Sequence, residues 1–132
     1  MSRLTLTDAQ RMIDAGIKEA TRIGQPMNIA VVDDGAHLIA FARMDGAIKA
    51  SIDISARKAR TSIMMNMPTG DLATATQPGA ELWGLEQTSG GLVTFGGGIP
   101  IIRDGETIGA VGVSAGSVEQ DVTVAEACLS AF

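Results

Sequence analysis

Two Asp-Gly pairs, Asp34-Gly35 and Asp104-Gly105, each stand between apolar, β-branched runs, and they constrain this chain more than any other feature. Asp-Gly suits the left-handed conformations of a tight hairpin turn, and a hairpin joins antiparallel strands. Asn28 to Asp33 with His37 to Arg43 read as one such pair, and Ile99 to Arg103 with Thr107 to Ser114 as another. Leu92 to Phe95 reads as a fifth strand. Hairpins at both ends of the sheet make it antiparallel, so the fold class is α+β and not a doubly wound parallel sheet.

Helical patterns occupy the rest. Thr7 with Gln10 has capping-box spacing, and Ala9, Met12, Ile13, Gly16, Ile17, Ala20 and Ile23 recur at helical intervals until Gly24 and Pro26. Ile48, Ile52, Ala56, Ala59 and Ile63 mark a second helix and its expected core stripe, and Pro68 follows its end. Ser117 with Gln120 opens a third, carrying Val122, Ala125, Cys128 and Leu129. Between Thr69 and Gly91 the Pro78-Gly79 and Gly90-Gly91 pairs indicate an irregular crossover with one or two helical turns.

At 132 residues the chain is read as one domain over 1–132, long enough for a single core. A net charge of -5 leaves no basic stripe for nucleic acid or anionic lipid, and no apolar run approaches a membrane span, so neither partner is expected and the location is read as cytoplasmic. One cysteine and one histidine exclude a Cys/His zinc site, and Cys128 reads as a small buried hydrophobe.

Several motifs invite chemistry. Gly112-Val113-Ser114-Ala115-Gly116 matches a nucleophile elbow, but that arrangement requires a histidine downstream, and His37 lies upstream. Gly109 and Gly112 then read as places where the strand approaches another backbone. Gly96-Gly97-Gly98-Ile99-Pro100 feeds a strand and not a helix, so it is no phosphate cradle; it reads as a bend or as the wall of a pocket. Ser51, Ile54, Lys58, Ser62 and Met65 form a second stripe on the middle helix, from which Lys58 is expected to face a cleft. Arg43 and Asp45, two apart at a strand end, would point the same way in extended geometry. The alternative for these charges is an Arg-Asp or Lys-Asp ion pair, with Asp45 capping the middle helix.

The segments "VVDDGAHLIAFARMDGA", "SIDISARKARTS" and "GGGIPIIRDGETIGAVGVSAGSVEQD" resemble the GlcG/HbpS-like family, related to the C-terminal domain of PduO-type proteins. The resemblance runs over nearly the whole chain and implies a profilin-like layered domain, a five-stranded antiparallel sheet flanked by helices, commonly a homo-oligomer. It implies haem as a possible cofactor, and small-acid or diol catabolism as the setting of other relatives. Its recurrent positions fall on Arg43, Met44, Asp45, Gly46, Lys58, Gly97, Gly98, Pro100, Ser114 and Asp121. Relatives hold haem iron with a histidine in the first helix, where this chain has none; His37 is left as a weak axial candidate.

Two functions follow as expectations. One is a small-ligand-binding protein that takes haem or a small organic acid near the Arg43–Gly46 corner, through Arg43, Met44, Asp45, Gly46, Lys58, Gly97, Gly98, Ile99 and Pro100. The other is a small catabolic enzyme, a lyase, isomerase or hydrolase, with Lys58 as base or electrostatic stabiliser and Asp45 moving a proton.

Overall fold

The computed structural model describes residues 3–132. Three helices, two short 3-10 turns and four strands follow in the order α1 (Leu6–Ile23), β1 (Asn28–Asp33), β2 (Leu38–Arg43), α2 (Ala50–Met65), the 3-10 turns Thr69–Leu72 and Leu85–Gln87, β3 (Gly98–Arg103), β4 (Glu106–Ser114) and α3 (Val118–Ser130). The sheet is antiparallel throughout, in the order β2-β1-β4-β3. It has four strands and not five. Leu92 and Val93 are buried as a strand would be, but their backbone donors are spent elsewhere. The Leu92 N–H donates to Glu86 O at 3.0 Å and the Val93 N–H to Thr61 Oγ1 at 3.0 Å, so no ladder forms.

Side-chain alternation divides the strands between two layers. Ile29 and Val31 of β1, Val111 and Val113 of β4 and Ile101 of β3 meet Ala9, Met12, Ile13, Val124, Ala125 and Cys128 of α1 and α3 in the main core. The opposite face carries α2, which packs on β4, β1 and β3. The edge strand β2 extends beyond α2. Its residues Phe41 and Leu38 pair with Ala30 and Val32, which lie on the α2 face, so that face of β2 is only half covered and Leu38 is 58% exposed.

The α1 capping box belongs to Thr5 and Asp8, not to Thr7 and Gln10: Thr5 Oγ1 accepts the Asp8 N–H, and the Asp8 carboxylate accepts the Thr5 N–H, both at 3.1 Å. A carboxylate also suits the positive end of the helix dipole, an advantage glutamine lacks. The Ser117/Gln120 box of α3 is present as expected. In the first hairpin the left-handed residue is Ala36, while Asp33 Oδ1 holds the turn by accepting from the Gly35 and His37 N–H groups. Asp104 and Gly105 are both left-handed in the second.

The expected core stripe of α2 is overturned. Of Ile48, Ile52, Ala56, Ala59 and Ile63 only Ala59 is fully buried; Ile48 is 58% exposed, while Ser51, Ser55, Lys58, Thr61 and Ser62 are enclosed. Ser51, Ser55, Ala59 and Ser62 form a row of small side chains against β4. A Cβ at Gly112 would collide with the Ser55 carbonyl oxygen and lie 2.7 Å from Ala59 N, so helix and strand backbones touch where only small residues fit. Bulky isoleucines are displaced outward. Asp45 does not cap α2 either: Lys49 occupies that position without a side-chain bond.

Cys128 seals the main core beneath Gly16, and burial pushes its thiol up to about 12 from 9.0. Between those values the unfolded chain has released a proton that the folded chain keeps. Stability is therefore expected to fall by about 1.4 kcal/mol per pH unit above pH ~9 through this group. Urea unfolding between pH 8.5 and 11 (on the order of these pKa values) should show a shallower decline in Cys128→Ala; equal slopes would refute the assignment.

Candidate functional site

One end of the sheet gathers most of the residues singled out from the sequence. The register sets Arg43, Asn28 and Ser114 side by side across β2, β1 and β4, and the Gly96-Gly97-Gly98 run enters β3 at the same end. Successive strands are ~4.8 Å apart, so Arg43 stands about 10 Å across the sheet from Ser114. The row spans two environments, one closed and one open.

Lys58 occupies the closed part. It is 0% exposed, and its Nζ donates to Asp121 Oδ2 and to Val113 O, each at 2.8 Å, with the Phe95 ring centroid 5.0 Å away. Asp121 also accepts the Gly116 N–H at 3.0 Å. Burial draws the Lys58 amine below the usual lysine range, and the bond to Asp121 resists that shift. Burial likewise raises Asp121 above the usual carboxylate range, opposed by Lys58 and by the backbone donors. Glycines close the cluster. A Cβ on Gly97 would come 2.6 Å from Lys58 Nζ, and one on Gly98 would overlap the Lys58 carbonyl oxygen. The Gly98 N–H donates to Thr69 Oγ1 at 2.9 Å, so it is already engaged. Pro100 is buried and Ile99 half-buried on the core side.

Arg43, Asp45 and Gly46 occupy the open part. All three are exposed, and neither Arg43 nor Asp45 makes a side-chain hydrogen bond or ion pair among the described residues. Met44 anchors the corner: its N–H donates to Met27 O at 2.9 Å, and its sulfur accepts the Met27 N–H at 3.3 Å. Beside Arg43, Asn28 is 0% exposed; its Nδ2 donates to Ile48 O at 3.2 Å, and its Oδ1 has no partner.

The chain thus brings Lys58 together with Gly97 and Gly98 but sets Arg43 and Asp45 apart from them. The ion pair that forms is Lys58 with Asp121, not with Asp45. Ser114 is buried, and its hydroxyl donates to Ser51 Oγ at 2.9 Å; no histidine approaches it, so the elbow pattern builds no triad among the described residues. His37 lies in the β1–β2 hairpin, highly exposed, with Nδ1 3.2 Å from Asp33 Oδ1. Asp121 as the partner of Lys58 and Asn28 as an unpaired acceptor were missed in the sequence. A signal for the first exists: Asp121 sits one turn inside the α3 capping box, where a carboxylate is favoured.

Beyond Leu38, a hollow of about 430 Å³ opens between β2 and α2, with Val32, Leu38 and Ala56 on its apolar side and Asp53, Arg57 and Arg60 on its charged side. A hollow of about 310 Å³ between α1 and α3 is flanked by Lys18, Glu19 and Arg22, and one of about 660 Å³ near Asp33, Asp34 and Glu106 is acidic. Among the described residues, no helix is long and apolar enough to cross a membrane.

Residues 4–130 match the family described as haem degrading protein HbpS-like. A 15.0 kDa protein of the dhaT-dhaS intergenic region of Citrobacter freundii is 43% identical over 133 residues, covering 100% of this chain and 94% of the relative. The solved PduOC:haem complex superposes with a TM-score of 0.94 at 36% identity, covering 99% of this chain and 96% of that one. An HbpS double mutant from Streptomyces reticuli gives a TM-score of 0.91 at 28% identity, over 100% of this chain and 88% of that one. With the α+β layers, the order of the motifs and nearly full-length matches in agreement, the chain belongs to the HbpS-like family, together with GlcG and the PduO C-terminal domain.

Proposed function

We propose that this protein is a small-ligand-binding module whose ligand, a small organic acid, seats its carboxylate on Arg43 at the Arg43–Gly46 corner and its body along the uncovered face of β2. The observation that carries the reading is Arg43 itself: an exposed guanidinium without a partner among the described residues, standing in register with a buried Asn28 whose Oδ1 finds no donor among them. A guanidinium offers a bidentate fork to a carboxylate, and a hydroxyl or ammonium on the ligand would complete Asn28 if the corner opened. Phe41, two residues before Arg43 on the same face of β2, supplies apolar wall. Lys58 is not a contact in this reading; it fixes the closed half of the site, and Gly97, Gly98 and Pro100 hold the loop over it. The Lys58 and Asp45 acid-base pair of the enzymatic alternative finds less support, since these side chains have separate surroundings. Ile48, 58% exposed where its carbonyl meets Asn28, favours a second copy covering the corner in a homo-oligomer.

A second reading, haem as the ligand, draws on the 36%-identical PduOC:haem complex. Arg43 and the apolar face suit propionates and a flat ring. The iron is another matter: at the corner the Met44 sulfur is engaged by the Met27 N–H, and His37 is turned to Asp33 at the far end of β2. The residues of one chain therefore do not fit a ligated haem, and a carboxylate is the better match.

Thermal shifts with a panel of two- to six-carbon hydroxy and oxo acids, alongside a Soret titration with haemin, test the proposal. At least one acid should stabilise the protein saturably, and Arg43→Ala should weaken it by about tenfold or more, the worth of a charge-assisted bond. No response to any acid, or equal affinity in Arg43→Ala, would overturn it.

A further inference from the structure

We infer that the hollow between β2 and α2 is a second ligand site, specific for a carboxylate carried on an apolar body and built on Arg60 and Arg57. In a chain of net charge -5 this concavity sets two guanidiniums against a single carboxylate, Asp53, so it is locally positive. Field lines focused in such a recess favour an anion even on an acidic protein.

The two arginines hold the irregular crossover. Arg57 Nη1 donates to Gly90 O at 2.7 Å, and Arg60 donates from Nη1 to Gly91 O at 3.1 Å and from Nη2 to Ser89 O. Ser89, Gly90 and Gly91 are all left-handed, with φ of 54°, 77° and 104°, which turns three successive carbonyls toward α2. Arg57 is further tied to Asp53, through Nε at 3.1 Å and Nη2 at 3.2 Å. Among the described residues Arg60 has no carboxylate partner. Two of its five N–H groups are bound to neutral carbonyls, so its positive charge is uncompensated and its remaining donors are free for an oxyanion. Across the hollow, Val32, Leu38 and Ala56 offer only hydrocarbon. An occupant must therefore be charged at one end and apolar at the other, a requirement that compact oxyanions such as phosphate do not meet.

This site is distinct from the Arg43 corner: Leu38, its contribution from β2, stands five residues before Arg43, about 17 Å away by strand rise, and the test separates the two. Hexanoate serves as the probe, followed by backbone amide and arginine Nε–H shifts in NMR titrations. Saturable shifts are expected at Gly90, Gly91 and Arg60, with acetate and inorganic phosphate weaker by about tenfold or more and hexylammonium without effect. Arg60→Gln should weaken hexanoate by about tenfold or more. Ala56→Leu, which fills the hollow and leaves both arginines in place, should do the same, while Arg43→Ala should leave these shifts unchanged. The inference is overturned by the absence of saturable shifts at Gly90 and Gly91, by phosphate binding as tightly as hexanoate, or by unimpaired binding in Ala56→Leu. Loss in Arg43→Ala would overturn it as well, by assigning the shifts to the corner.

Discussion

Lys58→Met should destabilise the protein by about 3–5 kcal/mol, whereas Lys58→Met combined with Asp121→Leu should regain most of that loss. The asymmetry comes from burial. With Lys58 gone, Asp121 keeps the Gly116 N–H but lacks a counter-charge in surroundings that already push its pKa upward. Val113 O loses its donor at the same time. Removing both charges in similar volume eliminates the desolvation cost of each ion together with their attraction, and those terms are comparable. Urea unfolding of both single variants and the double variant closes a thermodynamic cycle. Similar large losses in all three would mean that the pair adds more than its burial costs.

Gly112→Ala should lower stability by about 3 kcal/mol or more, a fall of about 12 °C in melting temperature for a domain of this size. The new methyl would meet the Ser55 carbonyl oxygen and Ala59 N, which are helix backbone atoms. A flexible side chain would swing aside; α2 must move bodily, which would pull Lys58 from Asp121 and Ser51 from Ser114. Differential scanning calorimetry reads the effect, and a melting temperature within about 3 °C of the parent would show that α2 does not approach β4 so closely.

The sequence makes the sheet legible because its signals are local. Asp34-Gly35 and Asp104-Gly105 set the hairpins, and alternation then assigns Ile29, Val31, Val111 and Val113 to one face. The missing fifth strand shows where local pattern fails: Leu92 and Val93 are as apolar as a strand, but Thr61, 32 residues earlier, takes the Val93 donor. The α2 stripe fails for a related reason. Ile48, Ile52 and Ile63 have core periodicity, but the opposing Gly112 admits only small neighbours, a fact about two distant segments that helical spacing does not contain. Read together, Ser51, Ser55, Ala59 and Ser62 opposite the glycines of β4 carry that signal. The site divides in the same way. Lys58 and Gly97-Gly98 meet, as their shared surroundings required, while Arg43 and Asp45 lie on the open side of the row because α2 stops short of β2.

The proposed division of the site leaves Lys58 and Asp121 paired and enclosed, out of reach of the ligand, and gives the ligand contact to Arg43. Isothermal titration of the organic acid that most stabilises the wild type, repeated with Arg43→Ala and with the Lys58→Met/Asp121→Leu double variant, tests it directly. Affinity should fall by about tenfold or more in Arg43→Ala and stay within about threefold in the double variant. Full affinity in Arg43→Ala, with binding abolished in a folded double variant, would contradict the account and move the ligand to Lys58.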